Sequence, residues 1–494
     1  DVVSGGSGDD VVSGGSGVNN TVGTELSDTL VLGAGSNVIN AQGGNDSITV
    51  SGKSGAYTDT VDGGTGTDTL SISYTGISNL GSFSTFSYNT TTGYKVLTDS
   101  SGGTISFKNI ETLTVGSVTY TQYSSQPGYW NATEGALYMY GSSASTGFSG
   151  SSDMLTVGSA SVLSGLSSSD DVTIKGSAAA ETLNLNVDRA STYTGNLTIT
   201  MGDGNDAISS AKLKDADSID MGAGDDNFAP STGIGTDSLT LRSLSNLDGG
   251  AGTDTLDFRG DNGGTYTLST GNATNFENII GSYQSDTITG DGNDNVLSAG
   301  GYGSKADTIS GAGGNDTITG ADGGDTLTGG AGNDTISGNA GDDSIDGVTG
   351  VDTLTGGGGI DTFTIRTGDG GSTIAAADTI TDFTDGTDTI GLSGGLTQSQ
   401  LTVSQGTGSN VNDTVVQVTS GGEYLAVLQN ITASDITARD FSSTSTDAQT
   451  LTGTSGNDDL IGAAGVDTIS SGAGSDYILG NAGNDSITVS GKSG

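Results

Sequence analysis

Along much of the chain one apolar side chain recurs every ninth residue, set between two polar ones and followed by a run of glycines. From Gly311 to Thr364 the pattern divides without remainder into six units, GAGGNDTIT, GADGGDTLT, GGAGNDTIS, GNAGDDSID, GVTGVDTLT and GGGGIDTFT. Position 8 is Ile318, Leu327, Ile336, Ile345, Leu354 or Phe363, always between Thr, Ser or Asp. An apolar residue between two polar neighbours is a minimal strand, with its middle side chain pointing inward. The other half of each unit is a turn, because glycine adopts backbone angles closed to other residues and lets carbonyls approach closely. Position 4 is Gly and position 6 is Asp in all six units. Two units then make one coil, and coils stack at the inter-strand spacing of about 4.8 Å. The pattern predicts an all-β parallel solenoid.

The same register opens the chain at Gly5–Thr49, with Asp10, Asn19, Asp28, Asn37 and Asp46 at position 6. It returns at Gly453–Thr488 with Asp458, Asp467, Asp476 and Asp485. Scattered copies put Asp59, Asp68, Asp206, Asp217, Asp226, Asp237, Asp254, Asp286, Asp294 and Asp307 in the same place. A merely solvated acidic surface would not concentrate its carboxylates at one repeat position. Fixed periodicity of this kind marks a repeat architecture.

Composition sharpens this. The 494 residues include 88 Gly, 2 Pro, no Cys and no His, with 13 basic against 58 acidic side chains and a net charge of -45. High charge with low hydrophobicity usually means disorder, but the regular glycine spacing and the scarcity of proline favour a folded repeat. So few bases exclude a nucleic-acid surface and disfavour anionic membranes, and no apolar run is long enough to span one. Without His or Cys there is no disulfide, thiol nucleophile, His-based triad or zinc site. Cations are the natural partners. One buried aliphatic side chain per nine residues falls short of the entropy of ordering them, and stacked carboxylates repel. A hard divalent cation held by carboxylates and turn carbonyls supplies what is missing, and oxygen-only ligation favours calcium. Folding is therefore expected to depend on calcium.

The units resemble the RTX nonapeptide GGxGxDxUx. That resemblance implies a calcium-binding parallel β-roll with several Ca2+ ions held by the position-6 Asp and glycine-region carbonyls. It nominates Asp307, Asp316, Asp325, Asp334, Asp343, Asp352 and Asp361, together with the counterparts named above. Lys305 in place of the position-4 Gly, and Asn19 and Asn37 in place of Asp, weaken their sites. The resemblance also implies type I secretion in an unfolded, calcium-free state, with folding outside the cell. Phe276-Glu277-Asn278-Ile279-Ile280-Gly281 is similar to the lead-in of serralysin C-terminal modules and brings no protease residue with it.

The fold class expected is all-β, with β-roll or β-helix segments interrupted by β-rich insertions. The boundaries read as a roll at 1–71, an aromatic-rich insertion at 72–175, degenerate repeats at 176–260, a short β insertion at 261–280, a roll at 281–365, a β-rich cap at 366–449 and a roll at 450–494. The insertion at 72–175 reads first as a small β unit with its own core, and second as an aromatic contact surface centred on Tyr129, Trp130, Tyr138, Met139 and Tyr140. In the cap, Asp378, Asp382, Asp385 and Asp388 read as calcium ligands or as turn formers. Residues 45–55 recur identically at 484–494, so a segment of a longer, tandem protein is expected.

Three functions are open. The first is a self-assembling extracellular structural protein, a surface-layer or filament subunit. The second is an adhesin segment, whose outward pairs Thr317/Thr319, Thr335/Ser337 and Thr353/Thr355 would contact glycan or ice. The third is the secretion and folding module of a larger enzyme; no catalytic residue is expected in the chain itself. Copies of the same chain and cell-surface polysaccharide are the expected partners, without nucleic acid and without membrane insertion. The expected location is the bacterial cell surface.

Overall fold

The computed structural model describes residues 2–4, 8, 10–13, 19–89, 92–121, 128–131, 136–139, 143–148, 155–157, 160–161, 172–176, 180, 182–187, 196–211, 217–230, 247–260, 262–268, 273–301, 304–443, 448–481 and 483–489. Among them no α-helix occurs, and short 3-10 turns are the only helical elements. The chain divides into two units. One comprises 1–234, 241–256 and 271–276, and the other 235–240, 257–270 and 277–494.

In the second unit each nonad supplies one strand, and alternate nonads fall in opposite sheets. Val296–Ser298, Thr317–Thr319, Thr335–Ala340, Thr353–Gly358 and Asp378–Ile380 run parallel in one sheet. Thr287–Thr289, Thr308–Gly313, Thr326–Ala331, Ser344–Thr349, Thr362–Ile365 and Thr389–Leu392 form the other. Register matches like with like: Ile318 faces Ile336 and Ile336 faces Leu354, while Leu327 faces Ile345 and Ile345 faces Phe363. These position-8 side chains are buried and form the core, whereas position 7 is exposed on most strands. The cap continues both sheets before turning antiparallel through Tyr424–Leu428, Thr414–Val418 and Leu401–Gln405. A further pair of small parallel sheets covers Thr450–Thr488.

The first unit opens with a roll of the same design. Asn19–Val22, Asn37–Asn40 and Thr58–Asp62 stack in one sheet, and Thr29–Leu32, Ser47–Ser51 and Thr69–Ser73 in the other. The described residues 72–121 share the core of the roll. Thr104–Lys108 adds in parallel to Thr58–Asp62, and Thr112–Val115 adds to Thr69–Ser73. Phe83, Leu97, Phe107, Leu113 and Tyr120 join one cluster with Leu30, Ile48 and Leu70 of the roll. The physical reason is that an end coil exposes apolar inward positions, and the aromatic hairpins cover them. The side chains of Tyr129, Trp130, Tyr138, Met139 and Tyr140 lie outside the described residues.

Candidate calcium-binding ladders

The position-6 side chains turn inward at the bends between strands. Asp28, Asp46, Asp59, Asp68, Asp206, Asp217, Asp226, Asp254, Asp286, Asp307, Asp316, Asp325, Asp334, Asp343, Asp352, Asp361 and Asp467 are buried; Asp10, Asp458, Asp476 and Asp485 are half-buried. Asp237 lies outside the described residues. Burying so many carboxylates is costly unless each finds partners.

One oxygen of each carboxylate finds its partner in the stack. The backbone N–H of Asp316 donates to Oδ1 of Asp334 at 2.8 Å, and that of Asp334 donates to Asp352 at 2.8 Å. On the opposite edge the N–H groups of Asp286, Asp307, Asp325 and Asp343 donate in turn to Asp307, Asp325, Asp343 and Asp361. The first unit repeats this from Asp10 through Asp28 and Asp46 to Asp68, and again from Asp206 through Asp226 to Asp254. Asp458 pairs with Asp476, and Asp467 with Asp485. Each edge is thus a ladder of carboxylates repeating once per coil.

The second oxygen has two fates. Oδ2 of Asp28, Asp325 and Asp467 accepts an N–H from the residue four positions earlier. Oδ2 of Asp46, Asp68, Asp226, Asp316, Asp334, Asp343, Asp352 and Asp378 is buried without a hydrogen-bond partner. Burial, reinforced by neighbouring carboxylates, pushes Asp68, Asp226, Asp307, Asp316, Asp343 and Asp352 up to about 6. Desolvation also raises Asp46, Asp325, Asp334 and Asp361.

Two glycines per unit make room for this arrangement. A Cβ at position 1 would strike the same unit's carboxylate: 2.0 Å from Asp316 Oδ2 at Gly311 and 2.1 Å from Asp343 Oδ2 at Gly338. At position 4 the backbone has positive φ, 134° at Gly332 and 142° at Gly350, and a Cβ on Gly350 would lie 1.7 Å from the carbonyl oxygen of Gly332 one coil away. Turn carbonyls therefore point along the stack beside the carboxylates. Among the described residues no three acidic side chains converge on one point. The ladders bring carboxylates together in successive pairs, and main-chain carbonyls complete an oxygen-only donor set of the kind calcium takes. A cation held there would neutralise stacked carboxylates and satisfy the orphaned oxygens.

The ladders include members that nine-residue spacing does not reveal. Asp378 and Asp388 extend the two edges by accepting the N–H groups of Asp352 and Asp361. Asp382 instead binds Gly356 and Gly357, and Asp385 stands exposed. Glu111 closes the first-unit ladder by accepting from Asp68. Asp294 is exposed, and the inward place at its turn belongs to Asn295, whose N–H donates to Asp316. Lys305 is exposed at its turn, and Asp307 still joins its ladder.

No curated protein matches this chain. Among solved structures, the extracellular lipase LipA from Serratia marcescens aligns at 13% identity over 87% of this chain and 42% of its own length, with a TM-score of 0.21. The chain thus spans less than half of that structure. The family model for RTX calcium-binding nonapeptide repeats (four copies) matches residues 1–20, 22–52, 54–71, 274–301, 303–327, 328–363 and 452–487. The matched blocks contain position-6 residues of the ladders just described, so these segments are RTX calcium-binding nonapeptide repeats folded as a β-roll.

Proposed function

We propose that the protein is a calcium-dependent extracellular structural protein, a self-assembling subunit of a surface layer or filament. The observation that carries this reading is the unbroken run of buried carboxylates from Asp286 to Asp388 on one edge of the roll and from Asp316 to Asp378 on the other. Cations distributed along such edges stiffen a whole element instead of serving one cleft. Repeats of this type work in calcium-rich surroundings, where extracellular modules bind with dissociation constants of roughly 10⁻⁴–10⁻³ M. The outer faces suit lateral packing: Thr317, Thr335, Thr353 and Thr379 align across one sheet, and Thr308, Thr326, Ser344, Thr362 and Thr389 across the other. Calcium between subunits would also offset the net charge of -45.

Electron microscopy of the purified protein in millimolar calcium, beside a chelated control, tests this. Sheets, tubes or fibres that disappear on chelation are expected. Discrete particles at every calcium concentration would leave the chain as a calcium-folded module and overturn the assembly reading.

A further inference from the structure

One edge of the first roll departs from the carboxylate ladder. Its position-6 residues are Asn19, Asn37 and Asp59, and all three are buried. Nδ2 of Asn19 donates to Oδ1 of Asn37 at 3.0 Å. Nδ2 of Asn37 reaches the carbonyl oxygens of Gly33 at 3.3 Å and Gly35 at 3.1 Å, which are positions 2 and 4 of its own turn. It also lies 3.2 Å from Asp59 Oδ1. These turn carbonyls, with the position-6 carboxylate, are the oxygens a calcium ion would need, and here they accept from N–H groups.

Lys53 completes the departure. The unit between Asp46 and Asp59 is four residues longer than a nonad, and Lys53 sits in the added length. Its side chain is fully shielded from solvent. Nζ lies 2.9 Å from Oδ1 and 2.7 Å from Oδ2 of Asp59, 2.8 Å from the carbonyl oxygen of Gly35 and 5.0 Å from the Tyr57 ring centroid. A buried ammonium is tolerated only when paired and hydrogen-bonded, and this one has a carboxylate, a carbonyl and an aromatic face. The neighbouring position-1 sites agree. Where the carboxylate edge carries Gly23, Ala41 and Gly63, this edge carries the larger Leu32 and Val50, both fully buried. Large apolar side chains occupy the volume that Gly or Ala leaves open beside the carboxylates.

We infer that the Lys53 ammonium, with the Asn37 carboxamide, takes the place of calcium on this edge, so that the coil at Asp59 carries its own cation. The roll is then two-faced: Asp10, Asp28, Asp46 and Asp68 take calcium on one edge, and the opposite edge folds without it. The inference rests on the calcium reading of the ladders, and the test separates the two.

Calcium bound per chain is counted by native mass spectrometry and calorimetry, and exchange of the strand amides in 37–40 and 58–62 is followed with and without calcium. Lys53→Met should gain one ion, and its strands should become protected only when calcium is present. Lys53→Met with Asp59→Asn should gain none and stay protected in chelator. An unchanged ion count and calcium-insensitive protection in K53M overturns the inference, and so does a K53M coil that no calcium concentration orders. Asp46→Asn, on the opposite edge, should lose an ion; an unchanged count there removes the calcium reading itself.

Discussion

At position 1 of each nonad an added methyl group and the carboxylate five residues later compete for one volume. Gly338 shows the conflict, since its Cβ would sit 2.1 Å from Asp343 Oδ2. Gly338→Ala must therefore displace the carboxylate or the turn, a cost of roughly 1–3 kcal/mol for overpacking. Urea titration in saturating calcium should show that loss together with weaker calcium binding; an unshifted midpoint would mean the carboxylate moves aside freely. The same carboxylates set the pH response. Asp307, Asp316, Asp343 and Asp352 are pushed to about 6 by burial first and then by neighbouring carboxylates such as Asp325 and Asp334, whereas an unfolded Asp titrates near ~3.9. Between these values the folded chain binds more protons than the unfolded chain, so calcium-free stability rises as pH falls through that window. Calcium binding has the opposite sign, because a protonated carboxyl is lost as a ligand. Thermal midpoints of metal-free protein at about pH 7 and about pH 5 should rise toward acid while calcium affinity falls. A metal-free midpoint that drops toward acid would contradict the buried-carboxylate ladder.

At the scale of strand and turn, the carboxylates act through stacking, which a linear sequence displays only while the spacing stays regular. From Asp307 to Asp361 every alternate nonad lands one coil on, and both the strands and the inward aspartates could be read directly from the nine-residue pattern. Insertions lengthen a coil without disturbing the stack, and there the nine-residue pattern no longer shows which residues are ladder neighbours. Asp378 lies 26 residues after its ladder neighbour Asp352, and Asp254 lies 28 after Asp226. Asn295 holds the inward place because it stands nine residues after Asp286, whereas Asp294 falls one residue short of that register. Lys53 was illegible for a related reason, since nothing in the spacing says that a loop lysine folds back onto Asp59. If neighbouring rungs share cations, their loss is coupled. Asp334→Asn and Asp352→Asn, adjacent at 2.8 Å through the Asp334 N–H, should each lower local calcium binding, and together should cost less than the sum of the single changes. Strict additivity by calorimetry would mean independent sites and would contradict the stacked-ladder account.

Taken over the whole chain, the rolls differ in how much of their stability calcium must supply. In the second unit the strands of the repeat block bury one large apolar side chain each, such as Ile318, Leu327, Ile336 and Ile345, and the next inward place is a position-1 glycine. In the first roll many strands bury two: Leu30 and Leu32, Ile48 and Val50, Leu70 and Ile72. Each additional aliphatic adds about 1.5–3 kcal/mol, and the aromatic hairpins extend the same core through Phe107 and Tyr120. The repeat block has no such reserve, and its carboxylates keep buried oxygens without hydrogen-bond partners at Asp316, Asp334, Asp343 and Asp352. Calcium removal should therefore unfold the chain in two stages. Hydrogen exchange during a chelator titration should show Thr335–Ala340 and Ser344–Thr349 losing protection first, while Thr29–Leu32, Ser47–Ser51 and Thr69–Ser73 hold on at least about tenfold longer, the equivalent of one such side chain at roughly 1.4 kcal/mol per decade. Simultaneous loss at one chelator concentration would show that the added core does not substitute for the cation.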